Sequence, residues 1–223
     1  MLKKKLRSFC NNAISSMLNL LKMISIHEMK QLEDNCGVPK AVLMENAGKA
    51  VYNILNKKFN LKDKKILIVA YHGNNGGDGF VAARYLCDDA EVNILFVGDE
   101  AKFKEEALAN FRKIENNEKI QFLSVEAVDF SDYDMIIDAI FGTGISGEIK
   151  DPLATLISNL SKAKAYKVSI DIPSGRNPDS GEKANVYFEP NLIITMHDIK
   201  KGLEAYRDKT IVVDIGIKKH EIS

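Results

Sequence analysis

The sequence predicts an α/β domain: a mainly parallel sheet covered on both faces by helices. Two observations carry this. Seven short apolar, β-branched runs recur along the chain, and helical stretches lie between several of them. Each run is apolar without interruption rather than alternating, as in strands buried on both faces. Alternation of such strands with helices places them side by side in parallel. A length of 223 residues fits a single domain with a sizeable core.

The elements follow in order. "EMKQLEDNCG" reads as a short helix stopped by Gly37, and Pro39 opens the next one. In that second helix Leu43, Ala47, Ala50, Val51, Ile54 and Leu55 recur at three- and four-residue spacing, forming a one-sided apolar stripe. The strands are then "KKILIVAY", "VNILFV", "IQFLSV", "YDMIIDAIF", "AYKVSID", "NLIITM" and "TIVVDIGI", with helices expected over 79–89, 103–117 and 151–162. With no internal repeat, low-complexity tract or linker, residues 23–223 read as one domain in which two helices precede the sheet.

Composition excludes several functions. Lys+Arg and Asp+Glu both total 31, so the chain lacks the basic excess that non-specific nucleic-acid binding needs. Cys10, Cys36 and Cys87 are scattered with no CxxC pair, which argues against a thiolate metal site or a disulfide framework and for a reducing compartment. Residues 1–22 carry five basic residues, and no acid precedes Glu28. They read as a leader or frayed extension ahead of Met23. Mitochondrial targeting is the second reading of that segment, and a cytoplasmic protein without a membrane partner is the expectation.

Chemistry concentrates at three strand ends. After the first strand, "GNNGGDG" (73–79) combines four glycines with Asn74, Asn75 and Asp78. It reads as a turn whose glycines permit positive φ and close approach of a ligand, ahead of a helix starting near Asp78–Gly79 whose free N–H groups suit a phosphate. "FGTGISGE" (141–148) follows a strand carrying Asp138, and "DIPSG" (171–175) offers Asp171 and Ser174. In a parallel sheet these loops converge on one crevice beyond the strands' carboxyl ends. Asn75, Asp138 and Ser174 are hard oxygen donors, suited to an alkali or alkaline-earth cation and not to zinc. The GxxGxxG spacing is not the GxGxxG dinucleotide fingerprint. Asp99, about twenty residues beyond Gly79, keeps a nicotinamide oxidoreductase as a rival reading.

The combination "LMENAGKAV", "GNNGGDGFVAAR", "DAIFGTGISGE", "SIDIPSG", "KKGL" and "VVDIGI" resembles the NAD(P)H-hydrate epimerases, the YjeF N-terminal domain family, over about Ile24 to Ile217. The resemblance implies a Rossmann-like three-layer α/β/α sandwich that interconverts the R and S epimers of NADHX and NADPHX, the forms of the reduced cofactors hydrated at C6. It implies one potassium ion per subunit on Asn75, Asp138 and Ser174. Substrate contacts would fall on Asn74, Asn75, Gly76, Gly77 and Asp78, on Gly142, Thr143, Gly144, Ile145, Ser146, Gly147 and Glu148, and on Asp171. A homodimer and a functional link to a separate NAD(P)HX dehydratase are further implications. Asp171 is the chosen acid–base residue, since inverting C6 moves a proton at the hydroxyl and passes through an iminium-like ring. Within this fold the competing class is a non-catalytic scaffold. His72 replaces a more usual proline and reads as a tolerated loop substitution. Lys200 is read as a phosphate contact or a solvated side chain, and His197 has no assigned role.

Overall fold

A computed structural model describes residues 23–144 and 147–218. The proposed leader, residues 1–22, lies outside the described residues.

Two helices come first, as their stop signals require. Helix α1 (Ile26–Asn35) starts at a capping box in which Ser25 and Glu28 satisfy one another's backbone N–H groups, and it ends ahead of Gly37 at φ +72°. Helix α2 (Lys40–Lys58) follows Pro39 and buries Leu43, Met44, Ala47, Gly48, Val51 and Leu55. The alternating part contains β1 (Lys65–Ala70), α3 (Asn74–Leu86), β2 (Glu91–Phe96), α4 (Glu105–Arg112), β3 (Ile120–Leu123), β4 (Met135–Ala139), α5 (Leu153–Lys162), β5 (Tyr166–Ile170), β6 (Leu192–Met196) and β7 (Thr210–Val213). A 3₁₀ segment, Lys201–Lys209, joins the last two strands.

All seven predicted strands are present in one sheet, ordered β3-β2-β1-β4-β5-β6-β7, and every pairing is parallel. Successive side chains of a strand point to opposite faces, so both faces need apolar residues. Ile66, Ile68 and Ala70 of β1 enter one core with α2, α3 and α4, while Leu67 and Val69 enter the other with α5. The continuous apolar runs are explained by this double burial, and the three layers are helix, sheet and helix.

One expected boundary was wrong. The stretch 74–79 is not a turn: α3 begins at Asn74, with Gly73 as its N-cap. None of Gly73, Gly76, Gly77 and Gly79 has positive φ. The glycines make room for neighbours instead. A Cβ on Gly76 would lie 1.8 Å from the Tyr71 carbonyl oxygen, and one on Gly79 would lie 2.7 Å from the Ala139 Cβ. Helical glycine costs about 1 kcal/mol relative to alanine. Completely burying Phe80, Val81 and Leu86 in the same helix returns about 1.5–3 kcal/mol for each side chain, so packing overrides propensity.

Candidate active site

The chain leaves β1 and β4, neighbours at the middle of the sheet, towards opposite edges. Loops diverge at such a point and leave a crevice beyond the strand ends. Here the crevice has a volume of about 660 Å³. It is lined by Gly73, Asn74, Asn75 and Asp78 of the α3 start, by Phe141, Gly142, Thr143 and Gly144 after β4, by Asp171 after β5 and by Lys200 after β6, with Glu33 of α1 on a further wall. The N–H groups of the first turn of α3 have no intrahelical partners, and they carry the positive end of the helix dipole to the crevice.

Asp171 sits just past β5 in the left-handed region, at φ +62°, where a side chain is tolerated only with compensating contacts. Those contacts all converge on one carboxylate oxygen. Oδ1 accepts from Thr195 Oγ1 at 3.0 Å, from the Met196 N–H at 3.4 Å and from the Lys200 ammonium, with which it forms an ion pair. Lys200 is 1% exposed and also donates to Thr195 Oγ1 at 3.0 Å and to the Met196 carbonyl at 2.8 Å. Its three N–H bonds are therefore satisfied, as a buried ammonium requires. Lys200 is thus neither solvated nor free to act as a simple phosphate contact, contrary to both sequence readings. Oδ2 of Asp171 accepts no hydrogen bond from the described residues, so one oxygen is anchored and the other is left for a ligand.

Asp138, one strand over on β4, is completely buried, and among the described residues no cation acts on it. Its carboxyl accepts from Ser174 Oγ at 2.6 Å, the Ser174 N–H at 2.8 Å, Ser169 Oγ at 3.2 Å and the Ile140 N–H at 3.2 Å. Burial raises its pKa to about 6, and these neutral donors only partly oppose the shift. Ser174 Oγ also accepts from the Phe141 N–H at 2.9 Å. The next residue, Gly142, packs on Asn75, so a Cβ there would lie 3.3 Å from the Asn75 Cβ. Asn75, Asp138 and Ser174 are thereby gathered around the start of one loop. Both polar atoms of the Asn75 amide are buried and have no hydrogen-bond partner among the described residues. A buried amide oxygen without a donor beside an uncompensated carboxyl is what a hard monovalent cation fits, because the ion satisfies the first and neutralises the second.

The remaining sequence-predicted positions divide. Asp78, in the second turn of α3, is no cap, and it faces the crevice. Gly76 and Gly77 are packed inside, Gly77 against Met44. Gly147 and Glu148 line a separate cavity of about 320 Å³ with Arg176 and Lys183. Ile145 and Ser146 lie outside the described residues. Asp99 is a turn residue whose carboxylate accepts from the Ala101 N–H at 3.0 Å, and the Asp99 N–H donates to His72 Nδ1 at 3.1 Å. His72 thus ties two loops together, and burial lowers its pKa. His197, buried at φ +63°, hands its N–H to the Val213 carbonyl at 2.8 Å. Sequence reading missed Thr195 and Glu33. Thr195 had a usable signal, a lone hydroxyl near the end of an apolar strand, whereas Glu33 is one acid among several on a polar helix.

Residues 40–202 match the family described as YjeF-related protein N-terminus. The chain belongs to this family. Similar members include an NAD(P)H-hydrate epimerase of Nitrosopumilus maritimus, 36% identical over 84% of this chain and 90% of that protein. Another, from Cenarchaeum symbiosum, is 36% identical over 88% of this chain and 93% of its own length. A bifunctional NAD(P)H-hydrate repair enzyme of Archaeoglobus fulgidus is 37% identical over 88% of this chain, which spans 42% of that longer protein. The family fold is seen again in a yeast crystal structure, with a TM-score of 0.76 at 22% identity over 90% of this chain and 96% of that one. Among the described residues no helix is long and apolar enough to cross a membrane.

Proposed function

We propose that this chain is an NAD(P)H-hydrate epimerase, interconverting the R and S epimers of NADHX and NADPHX. The observation that carries the reading is Asp171, a carboxylate with one oxygen fixed by Lys200 and the other open to a crevice that also receives the start of α3. The names of the family members that match nearly the whole chain support it. A carboxylate so placed suits C6 inversion, because a negative charge beside the ring stabilises the iminium-like cation formed when the C6–O bond breaks. The free Oδ2 is available to take or give the hydroxyl proton, and the N–H groups that open α3 suit the anionic diphosphate.

Asn75, Asp138 and Ser174 would hold potassium, one ion per subunit. When bound, the ion supplies a positive charge close to the start of α3, where an anionic dinucleotide is to be held. The same reading carries a homodimer and a partnership with a dehydratase that consumes one epimer. The oxidoreductase reading loses its support because Asp99 is occupied in a turn.

The test follows conversion of pure R-NADHX by chromatography with wild-type protein and with Asp171→Asn. The wild type is expected to accelerate approach to the R/S mixture, and the variant to be slower by about a hundredfold or more while melting cooperatively. No acceleration by wild type would leave a ligand-binding scaffold, and an unchanged rate in the variant would remove Asp171 from the chemistry.

A further inference from the structure

The crevice holds a second carboxyl whose surroundings are opposite to those of Asp171. Asp78 projects from α3 into the same space, and Glu33 approaches from α1. Three acids therefore face one another across a crevice in which Lys200 is the cation acting on all of them, and that cation is bonded to Asp171. The other charged groups on the walls are otherwise engaged or at the rim. Lys40 pairs with Asp34 at 3.2 Å and also feels Glu106 and Glu33, while Lys30, Lys104 and His72 lie along the crevice, none of them hydrogen-bonded to Asp78. Asp78 receives no hydrogen bond from a described residue, whereas Asp171 receives three.

We propose that Asp78 is the proton donor of the reaction, working with Asp171 as an acid–carboxylate pair whose roles are divided by Lys200. The proposal rests on the epimerase reading and adds a second catalytic residue to it. Two carboxyls in one site divide acid and base duties when their environments differ. Here one is ion-paired and the other is surrounded by like charge. Burial, with Asp171 and Glu33 adding their negative charge, pushes the Asp78 carboxyl well above its ordinary range, Lys200 pulling the other way. Asp78 is therefore the carboxyl of the pair whose surroundings favour the protonated form.

The steps balance without a further reactant. The Asp78 carboxyl gives its proton to the C6 hydroxyl, the C6–O bond breaks, and its electron pair leaves with the water formed. The ring nitrogen lone pair fills in to give the iminium-like cation, which the Asp171 carboxylate stabilises. Water then adds to C6 from the opposite face and loses its proton to Asp171 Oδ2. Solvent in the crevice returns that proton to Asp78, and the opposite epimer runs the same path in reverse.

The experiment is a pH profile of kcat and KM for R-NADHX with wild type, Asp78→Asn and Glu33→Gln, corrected for the spontaneous rate. Wild-type kcat is expected to fall on the alkaline side as the Asp78 proton is lost. Asp78→Asn should lower kcat by about a hundredfold or more, leave KM within a few fold, and abolish the alkaline fall. Glu33→Gln should move that fall to lower pH, since a negative neighbour has been removed. An Asp78→Asn protein that changes KM alone, or that keeps the alkaline fall, overturns the proposal while leaving the epimerase reading intact. Wild type without activity overturns both. Thermal melting of each variant separates lost chemistry from lost fold.

Discussion

Asp138 and Asp171 stand at the ends of adjacent parallel strands, and the fold handles the two carboxyls in opposite ways. Asp171 brings its own cation, Lys200, buried and bonded on all sides. Asp138 has only neutral donors around it and keeps a pKa raised to about 6. A buried charge must be paired or neutralised. At Asp171 the pairing is internal and permanent. At Asp138 a proton can do it, and in the proposed reading a potassium ion would. The same residue type can thus serve as a fixed part of one site and as the open half of another, depending on what the next strand supplies.

That contrast is broken most sharply at Lys200. Lys200→Met strands the Asp171 charge, and a loss of about 3–5 kcal/mol in unfolding free energy is expected, as for other broken buried pairs. Urea denaturation reads it. A loss below 1 kcal/mol would mean that the pair behaves like one on the surface.

Potassium should act at the other carboxyl. At a hundred times its dissociation constant it should add about 2.7 kcal/mol to stability, measured as a rise in melting temperature at pH 8. The gain should fade as pH falls through about 6, where a proton takes the place of the ion on Asp138. Without the ion the sign is fixed by the raised pKa. The folded chain binds this proton more tightly than the unfolded chain, so Asp138 makes the protein less stable as pH rises from 3.8 towards about 6, and the cost persists above that. Asp138→Asn should abolish both effects. A potassium response that survives the substitution, or that grows at pH 5, would separate the ion from Asp138. Smallest of all, Thr195→Val deletes one donor to Asp171 and one acceptor of the Lys200 ammonium and should cost about 1–2 kcal/mol in unfolding free energy, below the loss at Lys200.

The sheet was readable in the sequence because double burial writes itself as uninterrupted apolar runs: six of the seven strands fall within the quoted stretches, and β2 begins one residue before its stretch, at Glu91. The two N-terminal helices were readable from Gly37 and Pro39. The start of α3 was not. Glycine and asparagine signal a turn, whereas the close approach of Tyr71 and Ala139, which calls for glycine inside a helix, exists only in the folded chain. The clustering of Asn75, Asp138 and Ser174 was legible from donor chemistry at strand ends. The Lys200–Asp171 pair was not, because a lysine in a polar loop has no local mark of burial. The turn after β6 directs the Lys200 ammonium back to Thr195 and Met196, and the segment at Ile24 pairs with its backbone. Glu33 was invisible for the same reason.

The pairing of the chain's first described segment with its last has a consequence in time. Ile24 exchanges backbone hydrogen bonds with Ile199 and Lys201, and Asn46 reaches the Ile215 carbonyl across 169 residues of sequence. Ile215 and Glu33 both belong to the crevice wall. Contacts of such high sequence separation form late, after the loop-closure entropy has been met. During synthesis a chain that has already built β1 to β5 therefore owns most of its sheet but lacks the crevice wall that Met196, Lys200 and Ile215 supply. The full crevice wall arrives only with the segments from β6 onward, so a ligand that binds it selects chains that have made these contacts.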